Sequence, residues 1–109
     1  MPYKLEALST FNTSSNEILS YLIELSPNVA SNYINNLEEQ SAILAELPRL
    51  YPKYEHSDKL NIDLPLRKMV LTGYNYIVFY MVDDSNQLIL LLDVIHASRD
   101  IKSVLAQKF

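Results

Sequence analysis

The chain opens on a short, weakly alternating stretch, Tyr3 to Leu8, that runs into a polar cluster from Ser9 to Asn16. That texture predicts an edge strand or extended arm followed by a turn. From about Ser15 the apolar residues Ile18, Leu19, Leu22, Ile23 and Leu25 recur every three or four positions and so line one face of a helix. Ser14, Ser15 or Asn16 can cap it. Ser26-Pro27 then sets a hydroxyl directly before a proline, whose missing N–H costs nothing in a first helical turn, so a second helix is expected from Pro27. Ala30, Ile34, Leu37 and Leu44, with Tyr33 and Leu47 beside them, keep helical spacing until Pro48. Two helices with almost no loop between them form an antiparallel hairpin, and their apolar stripes read as core.

Pro48 to Pro65 holds three prolines, several charges, Tyr51 and Tyr54, and no sustained period, which predicts a long loop. A loop of that length is functional, ordered by a partner, or contains a short helical turn. Beyond it the residues become β-branched and aromatic, over Leu66–Thr72, Tyr76–Val82 and Gln87–Ile95. Turn residues at Thr72–Asn75 and Asp83–Asn86 join these as an antiparallel meander. The middle strand is apolar on both faces, which puts it at the sheet's centre. In the third, strict alternation puts Leu88, Leu90, Leu92, Val94 and His96 on one face and leaves Asp93 on the other among Ile89, Leu91 and Ile95. A carboxylate there needs a partner or a way to water. Ser98 to Phe109 suits a short helix, with Ser98 as cap, Asp100 in its first turn, Lys108 near its end, and Ile101, Val104 and Leu105 to dock it. The fold class expected is therefore α+β: an N-terminal edge strand and an antiparallel helical hairpin packed on a small antiparallel sheet, closed by a C-terminal helix, in one domain over residues 1–109.

Composition narrows the chemistry more than it changes this picture. With 49% hydrophobic and 20% charged residues, the chain buries a core. The lack of cysteine removes thiol nucleophiles, thiolate metal sites and disulfides together, and fits a reducing compartment. Met1 to Leu8 has no signal-peptide pattern and no apolar run approaches the length of a membrane span, so no membrane partner and a cytoplasmic location are expected. Gly73 is the one glycine, so phosphate-cradling loops cannot be built and no nucleotide or other cofactor is expected. His56 and His96 have no ligand spacing, which speaks against a metal. A net charge of −4 argues against broad phosphate binding, and so against DNA binding by the chain itself.

His96, Arg99 and Asp100 follow the last strand, at a rim where a rigid sheet presents polar groups. Imidazole serves as a general acid or base near neutral pH and a guanidinium stabilises developing phosphorane charge. The plainer alternative is a histidine bonded to its own chain and a surface Arg99–Asp100 pair worth under about 1 kcal/mol. Arg67 and Lys68 put adjacent positive charges on opposite faces of the first core strand, either to meet a phosphate or an acidic partner or simply to protect an edge. Tyr76 and Tyr80 share one face of the middle strand, where they are either part of a reactive rim or core residues with satisfied hydroxyls.

The order of elements, ending in His-x-x-Arg-Asp, resembles the RelE/ParE toxin superfamily over nearly the whole chain. The resemblance rests on Leu66-Arg67, the run from Tyr76 through Tyr80 to Asp83-Asp84, and Val94-Ile95-His96 leading to Arg99-Asp100-Ile101. It implies a toxin neutralised by a cognate antitoxin that wraps its surface, a role the charged loop and apolar hairpin suit. RelE-like members cleave messenger RNA in the ribosome with clustered Lys and Arg and a late tyrosine, whereas ParE-like members inhibit DNA gyrase. Here Ile77 follows Tyr76 where the nuclease arginine often stands, and Ile101 and Val104 occupy the region of the late tyrosine, so the likeness is closer to the ParE side. Read as a nuclease, the resemblance makes His96, Arg99, Arg67 and Tyr80 catalytic. Read as a binding protein, it gives Arg67, Lys68, Tyr76, Arg99 and Asp100 to target or antitoxin contact. A third reading is a detoxified member kept as a scaffold or repressor component.

Overall fold

A computed structural model describes residues 2–109. Strand β1 (Lys4–Ala7) leads into helices α1 (Ser9–Leu25) and α2 (Pro27–Glu46), followed by β2 (Leu66–Val70), β3 (Tyr76–Asp83), β4 (Leu88–His96) and α3 (Ile101–Lys108). The sheet order is β1-β4-β3-β2. The meander from β2 to β4 is antiparallel as expected, with β3 inside the sheet. The sheet as a whole is mixed, because β1 runs parallel to β4. Its helix-facing side packs Val78, Tyr80, Ile89, Leu91 and Val94 against Phe11, Leu22, Tyr33 and Leu44 of the hairpin. The opposite side packs Phe79, Met81, Leu92 and Ile95 against Leu105 of α3 and Tyr54 of the long loop.

The first helix begins at Ser9, not near Ser15. The polar cluster was expected to be a turn, but its hydroxyls bond across the fold instead of to their own backbone. Thr10 donates to the Leu92 carbonyl, buried Ser15 bonds the Tyr33 hydroxyl at 3.2 Å, and Phe11 is core. Leu8 stands at the cap with no side-chain bond, and its N–H donates to Leu91 at 2.9 Å, so strand passes straight into helix. Pro27 does open α2, although the Ser26 hydroxyl makes no cap bond; the extended Ser26 backbone makes the turn, accepting from Ala30 and donating to Leu22.

The loop from Pro48 to Pro65 closes the outer edge of β2. Tyr54 N–H donates to Leu66 at 2.7 Å and Lys68 N–H to Pro52 at 3.0 Å, and a 3₁₀ turn spans Ser57–Lys59. Further along, the Gln40 side chain takes the place of a strand. Its Nε2 donates to the Val70 carbonyl at 3.0 Å and its Oε1 accepts from Thr72 N–H at 2.6 Å. An edge so occupied cannot recruit another chain.

Strand β4 does not alternate strictly. Phe79 pairs with Asp93 and Tyr80 with Leu91, leaving Leu92 as a bulge that changes which residues face the hairpin. Leu92 therefore joins Leu90 and Ile95 on the α3 side, while Val94 joins Ile89 and Leu91 on the hairpin side. Asp93 has no exposed surface, and it finds its partner in α3: Lys108 Nζ lies 2.7 Å from Oδ2, while Oδ1 accepts from Val94 N–H at 2.9 Å. Lys108 also reaches Ser14 of α1 at 3.3 Å, so one ammonium joins the layers on both sides of the sheet. Lys108→Met is expected to destabilise by about 3 kcal/mol, because it strands a buried carboxylate. Adding Asp93→Asn should recover most of that loss, since an amide oxygen still accepts from Val94. Urea titration of the wild type and both variants checks this, and equal stability of Lys108→Met and wild type would contradict it.

Candidate functional site

The site arises where β1 stops. The chain turns into α1 at Leu8, so β4 from Leu92 onward has no strand neighbour on that side, and α1 runs alongside it instead. Between them lies a groove of about 240 Å³. Ser14, Glu17, Ile18 and Tyr21 form its α1 wall, Val94 to His96 its strand wall, and Tyr76, Arg99 and Lys108 complete it.

His96 sits opposite Tyr76 in the ladder, their rings edge to face with centroids 5.1 Å apart. Its Nδ1 accepts the Ser98 backbone N–H at 3.1 Å and lies 2.7 Å from the Ser98 hydroxyl. The neutral ring therefore carries its proton on Nε2. Ser98, the expected cap of α3, is thus committed to His96, and Asp100 caps instead, accepting from the Ser103 hydroxyl at 2.8 Å and its backbone N–H at 3.4 Å. The Ser103 hydroxyl, then its N–H, holds the Asp100 carboxyl below the usual range. Asp100 does not pair with Arg99, whose N–H closes a turn onto the His96 carbonyl at 3.1 Å. The Arg99 guanidinium has no ion pair among the described residues. Burial, then the neighbouring Tyr21, raises the Tyr76 phenol above its ordinary value, so it stays protonated across the physiological range.

The other candidates lie elsewhere. Tyr80 is four residues from Tyr76, about 13 Å along β3. It is fully buried and donates to the Pro48 carbonyl at 3.1 Å. Burial pushes its pKa up to about 12 despite the opposing charge of Arg67. Arg67, paired with Tyr80 across the ladder, donates to the Tyr51 carbonyl at 2.7 Å and borders a separate cleft of about 110 Å³ with Arg49 and Lys53. Arg49 is ion-paired with Asp84, and Lys68, on the other face, reaches Glu55 at 3.3 Å. The structure thus brings Tyr76, His96 and Arg99 together and leaves Arg67, Lys68 and Tyr80 apart. Glu17 and Tyr21 carry no sequence signal, since nothing in α1 marks which of its polar residues faces a strand. Lys108 was foreshadowed only by the need of Asp93 for a partner.

The family model described as the ParE toxin of type II toxin–antitoxin systems, parDE, matches residues 8–101. The chain belongs to this toxin family. Its fold is shared by solved toxin structures at low sequence identity. The chromosomal ParDE system of P. aeruginosa aligns with a TM-score of 0.67 at 14% identity, covering 88% of this chain and 97% of that one. The intact E. coli RelBE toxin–antitoxin complex aligns at 0.56 and 20% identity, covering 89% and 99%. The archaeal RelE–RelB complex of Pyrococcus horikoshii aligns at 0.61 and 19%, covering 91% and 99%. No curated protein sequence matches the chain.

Within this toxin Tyr80 makes a testable contribution to stability. Its folded pKa lies above the unfolded value near 10, so the folded state holds a proton that the unfolded state loses. The associated stability is complete below pH 10 and is lost as pH rises toward 12, at up to about 1.4 kcal/mol per pH unit. Guanidinium titrations across that range should show Tyr80→Phe losing less stability per pH unit than wild type; parallel slopes would mean the phenol is not protected by burial.

Proposed function

We propose that this toxin arrests bacterial growth by binding DNA gyrase in the cytoplasm, and that a cognate antitoxin covering its surface neutralises it. The observation that carries the reading is that His96 has one unpaired cation beside it among the described residues, Arg99, with the other basic candidates ion-paired or set apart. A nuclease centre needs the proton-transfer group and the phosphate-binding cations within hydrogen-bonding reach of one phosphodiester. Here His96 and Arg99 stand at the Tyr76 end of β3, where Lys108 is taken up by Asp93, and Arg67 and Tyr80 lie at the middle of that strand, about 13 Å away. Tyr80 is buried, and Lys68, Arg49 and Lys108 are each engaged by a carboxylate. The net charge of −4 also disfavours a phosphate-rich target. A binding protein needs contact surface instead, and exposed Tyr21, Ile23, Leu25, Ile43, Leu47 and Leu50 supply it. That solved relatives are described as toxin–antitoxin complexes supports the antitoxin as partner.

The alternative, a ribosome-dependent endoribonuclease, is favoured by one feature, the cleft lined by Arg49, Lys53 and Arg67. Inducible expression in a bacterial host separates the two. The expected result is growth arrest with induction of the SOS response and intact messages. Arrest with messages cut at ribosomal A sites, abolished by Arg67→Ala or His96→Ala, would replace gyrase with the ribosome. Soluble expression without arrest would identify a detoxified member.

A further inference from the structure

We infer that two copies of this chain join along the outer edge of β1, as a two-fold antiparallel pair of strands centred on Leu5. The inference goes beyond the toxin reading and does not depend on it.

The two edges of the sheet differ. That of β2 is filled by the Pro48–Pro65 loop and by Gln40, whereas all four residues of β1 are exposed. The parallel ladder on β4 fixes which backbone groups of β1 are open. Lys4 N–H donates to the Gln87 carbonyl at 3.0 Å and Leu8 N–H to Leu91 at 2.9 Å, so the even-numbered residues turn their polar groups toward β4. The odd-numbered residues turn theirs outward. Tyr3 N–H, on that side, is taken by the Ala45 carbonyl at 2.9 Å. Leu5 and Ala7 have no backbone partner for either group among the described residues. A strand in this state is a template for another strand.

The side chains decide which strand that is. Leu5 lies opposite Ile89, which faces the helical hairpin, so Lys4 and Glu6 stand on the other face of the sheet. Neither has an ion pair among the described residues. In an antiparallel pair centred on Leu5, the two Leu5 residues exchange both of their hydrogen bonds, and Lys4 of each copy falls opposite Glu6 of the other. That is a position without hydrogen bonds between the strands, where Cα atoms come within about 4.5 Å and opposite charges attract. Symmetry makes two such pairs, so the run Lys4-Leu5-Glu6 is its own complement.

Other registers lose this match. Centring the pair on Glu6 would set two carboxylates face to face, and an in-register parallel pair would oppose Lys4 to Lys4 and Glu6 to Glu6. Each copy has one such edge, so the assembly closes at two. The Tyr3 bond to Ala45 also brings the last turn of α2 to this edge, where exposed Ile43 and Leu47 extend the contact with apolar surface. Tyr21, Ile23 and Leu25 lie toward the opposite end of the hairpin and remain open to other partners.

Sedimentation equilibrium of the full chain, freed of any antitoxin, from micromolar to millimolar concentration reads the association. A reversible dimer is expected. Lys4→Glu and Glu6→Lys each place like charges opposite one another in both pairs, and each should weaken the dimer at least tenfold. The double variant carrying both changes should restore it, and an equimolar mixture of the two single variants should form a heterodimer tighter than either homodimer. A chain that stays monomeric at millimolar concentration, or a dimer indifferent to both single changes, overturns the inference. Failure of the double variant to restore association overturns the pairing of Lys4 with Glu6. Monomers whose β1 amides gain exchange protection only on binding an antitoxin would assign the edge to that partner and sink the dimer.

Discussion

A carboxylate with no exposed surface lies in the middle of the sheet, and most of the local architecture can be understood as what keeps it there. Asp93 cannot remain charged in that position without a cation and hydrogen-bond donors. Lys108 supplies the cation from the last turn of α3. Val94 N–H supplies a donor, a group left idle because β1 has stopped and α1 has begun. The same ammonium bonds Ser14, so the pair ties the C-terminal helix to the first helix around the bare edge of β4. Apolar packing by Leu105 and Ile101 holds α3 against the sheet, and the ion pair adds a directional contact to it.

Much of the fold was legible because apolar spacing reports burial directly. The stripes of α2 and the two-faced apolar character of β3 gave their elements and positions. What was hidden was polar. Thr10 and Ser15 read as turn residues because hydroxyls usually bond their own backbone. Here they bond Leu92 and Tyr33, partners far away in sequence. Gln40 was hidden for the same reason, as an amide that completes a sheet edge looks like any polar residue on a helix. A bulge leaves no trace in a run as uniformly apolar as Leu88 to Leu92, so strict alternation misplaced Leu92 relative to Val94.

Tyrosine shows why residue type alone does not locate a site. Tyr74 and Tyr80 spend their hydroxyls on backbone carbonyls at Val29 and Pro48, and Tyr33 spends its own on Ser15. These are apolar bodies with one satisfied polar end. Tyr76 stands out only by position, next to His96 and open to the groove. The C-terminal His-x-x-Arg-Asp segment was visible in sequence. Its division of labour was not: Asp100 holds a helix, Ser98 holds an imidazole, and Arg99 is left free among the described residues.

The bulge links the buried carboxylate to the groove. Over the first half of the β3–β4 ladder, Asp83 pairs with Leu88 and Tyr80 with Leu91. Continued unbroken, that register would set Tyr76 opposite Ile95 and turn His96 to the α3 side of the sheet. The extra residue at Leu92 moves the second half by one position. Asp93 then comes opposite Phe79, on the face where Lys108 can reach it, and His96 comes opposite Tyr76, on the face lined by α1. The same shift decides that Val94 and His96 present their backbone to the open edge. One inserted residue therefore creates the need for the ion pair, the assembly of His96 with Tyr76, and the unpaired rung beside them, which is why these three features must stand or fall together.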